Sequence, residues 1–242
     1  MPTTFPGLIP DNEGQRIDAL SQYEVLFQPN QPLFNEFVSI LAKLFAVPVA
    51  LVSLVGAEEV VFAGNVGLQE VQRASRSNSL CSVAVLHEGI TVFEDLAQHP
   101  CELVNMDAVR GLQLGFYAGR PLRSPDGSAV GTLCVIDRKP RMLSLTEQIL
   151  LDHMGQAASD ILLLEAAFAN DQTLSRGLWE RVRQQIHFSL TRMDTLAELS
   201  KHEEDEDTDA ARAYRQSSQE EALLVVQAMQ KELKQALASI SR

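Results

Sequence analysis

The pattern of hydrophobic and polar positions divides the chain into two parts near Arg141. Before that residue, short apolar runs alternate with Gly, Pro, Asp and Asn, as expected for a mixture of strands and helices. After it, long segments repeat apolar residues at helical spacing. The pattern therefore predicts an α+β unit followed by a helical region.

The clearest helical signal in the first part is segment 32–46, which places Pro32 at the first helical position and spaces its apolar residues three and four apart. Two runs rich in β-branched residues follow at 47–55 and 59–68, and Gly56 between them favours a hairpin. Further along, we expect a helix over 77–89, a strand over 90–96, broken turns over 99–112, and strands over 116–123 and 128–137 joined by Pro125-Asp126-Gly127.

The second part predicts three long helices, over 144–171, about 174–200 and about 215–240, with an acidic turn at 201–212. Ser144 and Glu147 form a capping-box signature at the start of the first helix. The apolar seams must be buried by folding back on one another, by pairing with a second copy, or by both. We favour a helical hairpin that dimerises through helices 144–170 and 174–240. The heptad-spaced positions are Leu150, Met154, Ala157, Ile161, Leu164 and Phe168, then Val182, Ile186, Ser189, Met193 and Leu196, then Leu223, Val226, Gln230, Leu233, Leu237 and Ile240.

Composition narrows the classes of protein that fit. The formal net charge of −12 over 242 residues argues against a nucleic-acid-binding surface. No apolar run reaches the length of about 18 residues that a membrane helix needs, and the first residues lack the pattern of a secretory signal. The 3 cysteines lack CxxC spacing, which fits free thiols in a reducing compartment. We therefore expect a cytoplasmic protein without nucleic-acid or membrane partners.

Several segments together carry a resemblance to the GAF domain family, in the branch common in bacterial sensor proteins. The similarity covers roughly 13–168. It implies a six-stranded antiparallel sheet with helices on one face and a small-molecule pocket on the other. It also divides the chain into an N-terminal tail (1–12), a GAF domain (13–170) and a helical hairpin (171–242). The segments that resemble the family are RIDALSQY (16–23), FNEFVSILAKLFAVPVALVSLV (34–55), NSLCSVAV (78–85), FYAGRPL (116–122) and VGTLCVIDRKPRMLS (130–144).

The resemblance also implies where a ligand would bind, although it names neither a ligand nor a cofactor. Members of this branch usually carry a histidine two residues after the cysteine that corresponds to Cys81, and here Val83 stands in its place. A pocket with fewer polar groups would suit a flat, mostly apolar ligand. The ligand-binding candidates by family position are Phe62, Cys81, Val85, Phe116 and Tyr117.

The cysteines leave alternatives open. Cys81 lies near the start of a predicted helix, where the helix dipole could make its thiol reactive, but a buried wall residue is the more ordinary interpretation. Cys134 lies in an apolar strand and is expected to pack, whereas Cys101 could be exposed. Pigment-binding GAF domains carry a histidine directly after the attaching cysteine, and Ser82 occupies that position here.

The histidines show no HxH or HxxxH spacing, and no glycine-rich phosphate loop is present. His99 could ligate a haem iron but is better explained as a surface residue. His187 invites comparison with the phosphoacceptors of histidine-kinase dimerisation domains, which the helical hairpin vaguely resembles. Its sequence, HFSLTRMD, lacks the acidic residue and the Arg-Thr/Asn-Pro run typical of them.

These observations favour a non-enzymatic GAF module that senses a small molecule and relays its state through the exit helix, 144–170, to a dimeric helical element. Two other functions stay open. The chain could be an interaction scaffold with a closed pocket, whose acidic helical tail binds a partner. It could also be a redox or chromophore-binding protein that depends on Cys81.

Overall fold

The computed structural model describes residues 5, 7–68, 70–171, 176–201 and 208–240. The strands are β1 (Val49–Val55), β2 (Glu59–Val66), β3 (Arg73–Ser75), β4 (Thr91–Phe93), β5 (Phe116–Arg123) and β6 (Ala129–Asp137). The helices are α1 (Glu13–Ser21), α2 (Pro32–Leu44), α3 (Cys81–Ala84), α4 (Met106–Gly111), α5 (Leu145–Asn170), α6 (Arg176–Lys201) and α7 (Asp209–Ile240).

The six strands form one sheet in the order β3-β2-β1-β6-β5-β4, and every neighbouring pair is antiparallel. This confirms the six-stranded antiparallel sheet and the predicted β1–β2 hairpin. Because successive residues of a strand point to opposite faces, the central strands contribute to two separate apolar clusters. One cluster lies on the sheet face that α2 and α5 cover. We call this face the helix face and the cluster the helix-face cluster. The other lies on the face covered by α3 and is called the α3 cluster.

The exit helix α5 begins where the sequence predicts. The Ser144 side chain accepts a hydrogen bond from the Glu147 backbone N–H, and the Glu147 carboxylate accepts one from the Ser144 backbone N–H. These reciprocal bonds satisfy two amides that the helix would otherwise leave unpaired. The capping-box prediction is therefore confirmed.

Helices α6 and α7 fold back over the helix face of the same chain. Helix α6 packs on α2, while α7 packs on α5 and on α6, so the order of layers is sheet, then α2 with α5, then α6 with α7. Polar contacts also join the layers, since Gln219 donates to the Leu44 carbonyl and Gln230 donates to the His153 carbonyl. The seams predicted from heptad spacing are thus largely buried within one chain. Buried seam residues include Met154, Ile161, Leu164, Val182, Ile186, Met193, Val226 and Leu233.

Two local predictions need correction. The predicted helix over 77–89 is wrong, because only the single turn of α3 is α-helical and a 3-10 turn, Arg76–Asn78, precedes it. Residues 79–85 are buried on all sides, so their apolar character reflects burial under the sheet and not one face of a long helix. The predicted turn over 201–212 is wrong at its end, where α7 already begins at Asp209. Residues 202–207, which contain most of the acidic run, lie outside the described residues.

Candidate functional site

The α3 cluster is the site that the family resemblance indicates. Helix α3 lies over β1, β5 and β6, and the segment from α4 toward β5 closes the same face. Most side chains here are aliphatic or aromatic, as expected for a small-molecule pocket or a filled core. Its buried members include Leu51, Phe62, Cys81, Val85, Tyr117 and Cys134.

The structure brings together four of the five ligand-binding candidates. Phe62, Cys81, Val85 and Tyr117 all lie in the α3 cluster, and none of them is more than 5% exposed. Phe116 lies on the other side of the sheet, in the helix-face cluster, where the Arg141 guanidinium carbon lies 5.5 Å from its ring centroid. Neighbours in a strand point to opposite faces, so Phe116 and Tyr117 cannot both line one pocket. The placement of Phe116 in a shared pocket is therefore corrected.

A small group of polar atoms lies inside the α3 cluster. The Cys81 and Cys134 sulfurs are 3.9 Å apart, and the Thr132 hydroxyl donates to the Cys81 carbonyl over 3.3 Å. The Tyr117 hydroxyl extends over Gly119, where a Cβ atom would be only 2.2 Å from it. Among the described residues, neither the Tyr117 hydroxyl nor the Ser82 hydroxyl makes a well-oriented hydrogen bond, although both are buried and the Tyr117 hydroxyl interacts with the Cys81 and Cys134 thiols. Such groups are uncommon in folded proteins.

The thiols of this group differ in acidity. A hydrogen bond with Cys134 lowers the pKa of the Cys81 thiol to about 7, against the opposing effect of burial. Burial raises the pKa of the Cys134 thiol well above its usual value, and the neighbouring Cys81 raises it further. Burial likewise raises the pKa of Tyr117. Cys81 is therefore the thiol of the pair that ionises first.

Sequence reasoning missed a buried arginine network beside this site. Arg16 is 1% exposed and Arg76 is 5% exposed, and both bind the carboxylate of Glu13. Arg16 also donates to the Val55 carbonyl over 2.6 Å. Burial opposes ionisation of Glu13, but hydrogen bonds from the two arginines lower its pKa to about 2. The network links α1 to the β1–β2 turn and to the 3-10 turn before α3. Of its three residues, only Arg16 belongs to a segment that resembles the GAF family.

The remaining candidates lie elsewhere. Cys101 is buried, not exposed, and His99 is exposed. His187 is also exposed, and its Nδ1 lies 2.8 Å from a Glu36 carboxylate oxygen, while His202 lies outside the described residues. In the part of the chain that the structure describes, no three His, Cys, Asp or Glu side chains form a group that could hold a metal ion. Across the same ranges, no helix has the length and apolar character that a membrane span requires.

An antiparallel sheet with helices on one face and a closed apolar site under a short helix on the other places the chain in the α+β class. The family model of the GAF domain matches residues 29–161, which is more than half of the chain. The chain therefore belongs to the GAF domain family.

Among curated proteins, a cyclic di-GMP phosphodiesterase of Pseudomonas aeruginosa is 28% identical over 184 residues, covering 75% of this chain and 31% of that protein. Among solved structures, the GAF domain of an Acinetobacter phosphoenolpyruvate-protein phosphotransferase is 17% identical with a TM-score of 0.48, covering 65% of this chain and 98% of that one. The free methionine-R-sulfoxide reductase of Neisseria meningitidis is 18% identical with a TM-score of 0.46, covering 70% and 99%. At this level of similarity, neither structure bears on what this chain binds.

Proposed function

We propose that the chain is a non-enzymatic, cytoplasmic sensory module whose α3 cluster binds a small, flat, mostly apolar molecule. The observation that supports this is the pair of buried hydroxyls, on Tyr117 and Ser82, that make no well-oriented hydrogen bond among the described residues. Leaving a buried hydroxyl unpaired costs about 1–3 kcal/mol. A ligand with one carbonyl or hydroxyl group would recover part of that cost while its apolar surface contacts Phe62 and Val85.

A change in the α3 cluster on ligand binding would reach the exit helix α5 through strand β5. Tyr117 faces the α3 cluster, and other residues of the same strand contact the exit helix α5. The Ser159 hydroxyl of α5 accepts a hydrogen bond from the Arg123 backbone N–H over 3.2 Å, and Arg120 pairs with Asp152 over 2.8 Å. Ligand entry requires the segment 79–112 to shift, because the cluster is closed. A ligand that favours the shifted arrangement would bias β5, then α5, then α7.

Native mass spectrometry and thermal melts across a metabolite panel test ligand binding directly. We expect a bound molecule whose affinity falls when Tyr117→Phe removes the hydroxyl. The matched control is Tyr23→Phe, which removes a hydroxyl from a tyrosine buried in the helix-face cluster. Equal affinity in the two variants would contradict the role of Tyr117.

The relay has its own test. Substituting Leu164→Ala and Phe168→Ala in α5 should change the response of the α6–α7 hairpin to ligand, measured by hydrogen exchange. The exposed α5 residue Ile149, replaced by Ala, is the control. A hairpin response identical in all three proteins would contradict a relay through α5.

We also propose a homodimer formed by the outer surface of the α6–α7 hairpin, because the inner seams are already occupied. A groove of about 750 Å³ runs between the two helices, and Phe188, which is 66% exposed, lies along it. The α6 side of the groove carries Arg181 and Arg192, and the α7 side carries Glu232. A second copy related by a two-fold axis would place α6 of each copy against α7 of the other, so basic and acidic rims would meet.

Sedimentation or light scattering at several concentrations tests this dimer. Phe188→Glu should weaken self-association by at least tenfold, because it places a charge in the centre of the contact. Met142→Glu, at a residue that is 78% exposed and outside the hairpin, should leave association unchanged. A wild-type chain that stays monomeric at high concentration would exclude the proposed dimer.

One observation favours the scaffold function as a second candidate. The α3 cluster is closed to solvent, since the ligand-binding candidates in it are at most 5% exposed. In that case the cluster would be a core, and the outer hairpin surface would bind a partner protein. A ligand-free protein whose thermal melt does not change across the metabolite panel would support the scaffold over the sensor.

A further inference from the structure

We propose that Cys81 and Cys134 form a redox-active dithiol, which hydrogen peroxide oxidises to a disulfide inside the α3 cluster. The two sulfurs are already in contact, at 3.9 Å. Both cysteines are free, and they come from elements far apart in sequence, α3 and the sheet strand β6. The chemistry of the pair is independent of whether a ligand binds, although its consequence for ligand entry rests on the proposed function.

The local structure permits the sulfurs to approach. A disulfide requires a sulfur–sulfur distance of about 2.05 Å, so the atoms must move closer by about 2 Å. Cys134 is held in a central strand, paired with Leu51 of β1 and Gly119 of β5. Cys81 is the first residue of a single helical turn, so α3 can shift while few backbone hydrogen bonds are disturbed. Approach through Cys81 therefore disturbs fewer backbone bonds than a shift of Cys134 in its strand, the main side-chain tether being the bond from the Thr132 hydroxyl to the Cys81 carbonyl.

The order of steps follows from the surroundings of the two thiols. Cys81 is hydrogen-bonded to Cys134 and has the Ser53 and Ser79 hydroxyls nearby, and these contacts lower its pKa to about 7. Its thiolate is the nucleophile, while the less acidic Cys134 resolves the intermediate. Because both side chains are buried, a small oxidant such as peroxide has better access than a bulky disulfide such as oxidised glutathione.

The reaction balances with one peroxide. The Cys81 thiolate attacks one oxygen of hydrogen peroxide, the O–O bond breaks, and Cys81 becomes a sulfenic acid while hydroxide leaves and takes up a proton to form water. The Cys134 sulfur then attacks the Cys81 sulfur, a sulfur–sulfur bond forms, and the sulfenic oxygen leaves as a second water. The two thiols lose two electrons in total, and the peroxide gains them.

The disulfide formed by oxidation would link α3 to β6 covalently. Ligand entry to the α3 cluster requires α3 and its flanking turns to move, so the disulfide would hold the cluster closed. The reduced protein would be the form that can bind the ligand, and oxidation by peroxide would prevent binding.

The test uses the full chain with Cys101→Ser, which leaves only the two thiols in question. After reduction and removal of the reductant, the folded protein is treated with peroxide, and remaining thiols are alkylated in denaturant for mass spectrometry. We expect loss of two hydrogens, no alkylation, and a cross-linked peptide pair containing residues 81 and 134, all reversed by dithiothreitol. With Cys134→Ser added, dimedone should instead trap a sulfenic acid on Cys81. With Cys81→Ser added, Cys134 should stay reduced.

Three results would overturn the proposal. The first is persistence of both thiols in the folded chain at a peroxide concentration that oxidises the denatured chain. The second is over-oxidation of Cys81 without a link to Cys134. The third is a link to Cys101 in the chain with all three cysteines. The Cys101→Ser chain retains both reacting residues, so it decides the outcome even where a serine at 81 or 134 disturbs folding. Ligand binding is measured separately, so failure of the sensor proposal leaves these results unchanged.

Discussion

Replacing Arg16 by Ala should destabilise the protein far more than an ordinary loss of a salt bridge. The guanidinium is 1% exposed, binds Glu13 through two nitrogens at 2.8 Å, and donates to the Val55 and Ala129 carbonyls at 2.6 and 3.3 Å. The variant would leave buried carbonyls and part of a carboxylate without partners. Breaking one side of a buried ion pair costs about 3–5 kcal/mol.

Urea unfolding measures this cost, with Arg73→Ala as the matched control. Arg73 pairs with Glu59 at 2.5 Å, but their side chains are 40% and 43% exposed. Removing such a surface pair costs at most about 1 kcal/mol. With an m-value of about 3 kcal/mol per molar urea, the Arg16 variant should lower the midpoint by about 1 M or more. Equal midpoints for the two variants would refute the assignment of Arg16 as a buried structural anchor.

The same network predicts a dependence of stability on pH. The pKa of Glu13 is lowered from 4.5 to about 2 in the folded protein, so its ion pairs contribute fully above the unfolded value and are lost as the pH falls toward 2. The lowered pKa corresponds to a contribution of about 3 kcal/mol to the free energy of unfolding without solvent screening. Because Glu13 is partly exposed, screening reduces this contribution to about 1–2 kcal/mol. Between pH 6 and pH 3, the wild type should therefore lose about 1 kcal/mol more than Glu13→Gln. An equal loss in both proteins would contradict the lowered pKa.

Three further substitutions are expected to have smaller effects, each measured by urea or thermal unfolding. Gly119→Ala should cost about 1–3 kcal/mol, because its Cβ would lie 2.2 Å from the Tyr117 hydroxyl, whereas Gly89→Ala meets no atom within 4 Å and should be nearly neutral. Tyr117→Phe should change the stability of the ligand-free protein by less than about 1 kcal/mol, since the buried hydroxyl makes no well-oriented hydrogen bond and interacts only with two thiols, which are weak partners. Ser144→Ala should cost about 1 kcal/mol through loss of the α5 cap. A loss of clearly more than about 1 kcal/mol in Tyr117→Phe would show that the hydroxyl is strongly hydrogen-bonded in the ligand-free protein, which would contradict its role as a donor left for the ligand.

Local signals in the sequence were sufficient wherever the cause of a structure is local. Ser144 and Glu147 cap α5 because the side chain of each residue accepts a hydrogen bond from the backbone N–H of the other, three residues away. The β1–β2 hairpin follows from two adjacent β-branched runs separated by Gly56. The resemblance to the GAF family supplied the number of strands and their antiparallel arrangement, which no local pattern determines.

The remaining features depend on tertiary contacts. Helical periodicity cannot distinguish a long helix from a segment buried on every side, so α3 was predicted to be far longer than it is. Alternation along a strand separates Phe116 from Tyr117, but which of the two faces the α3 cluster depends on how β5 is placed in the fold. Arg16 looks like any charged residue of a short helix until α1 is docked on the β1–β2 turn. The contact between Cys81 and Cys134 likewise required the fold.

Helices α6 and α7 cover the outer side of α2 and α5, so the hairpin competes with any other helix for that surface. Any partner helix that binds α2 and α5 must first displace α6 and α7, which are present at the high effective concentration of an attached segment. Lys43 of α2 helps to hold α6 in place, through ion pairs with Asp194 at 2.6 Å and Glu198 at 2.7 Å. Because these side chains are partly exposed, salt weakens this attachment more than it weakens the apolar seam. The helix face is thus protected by the chain's own hairpin.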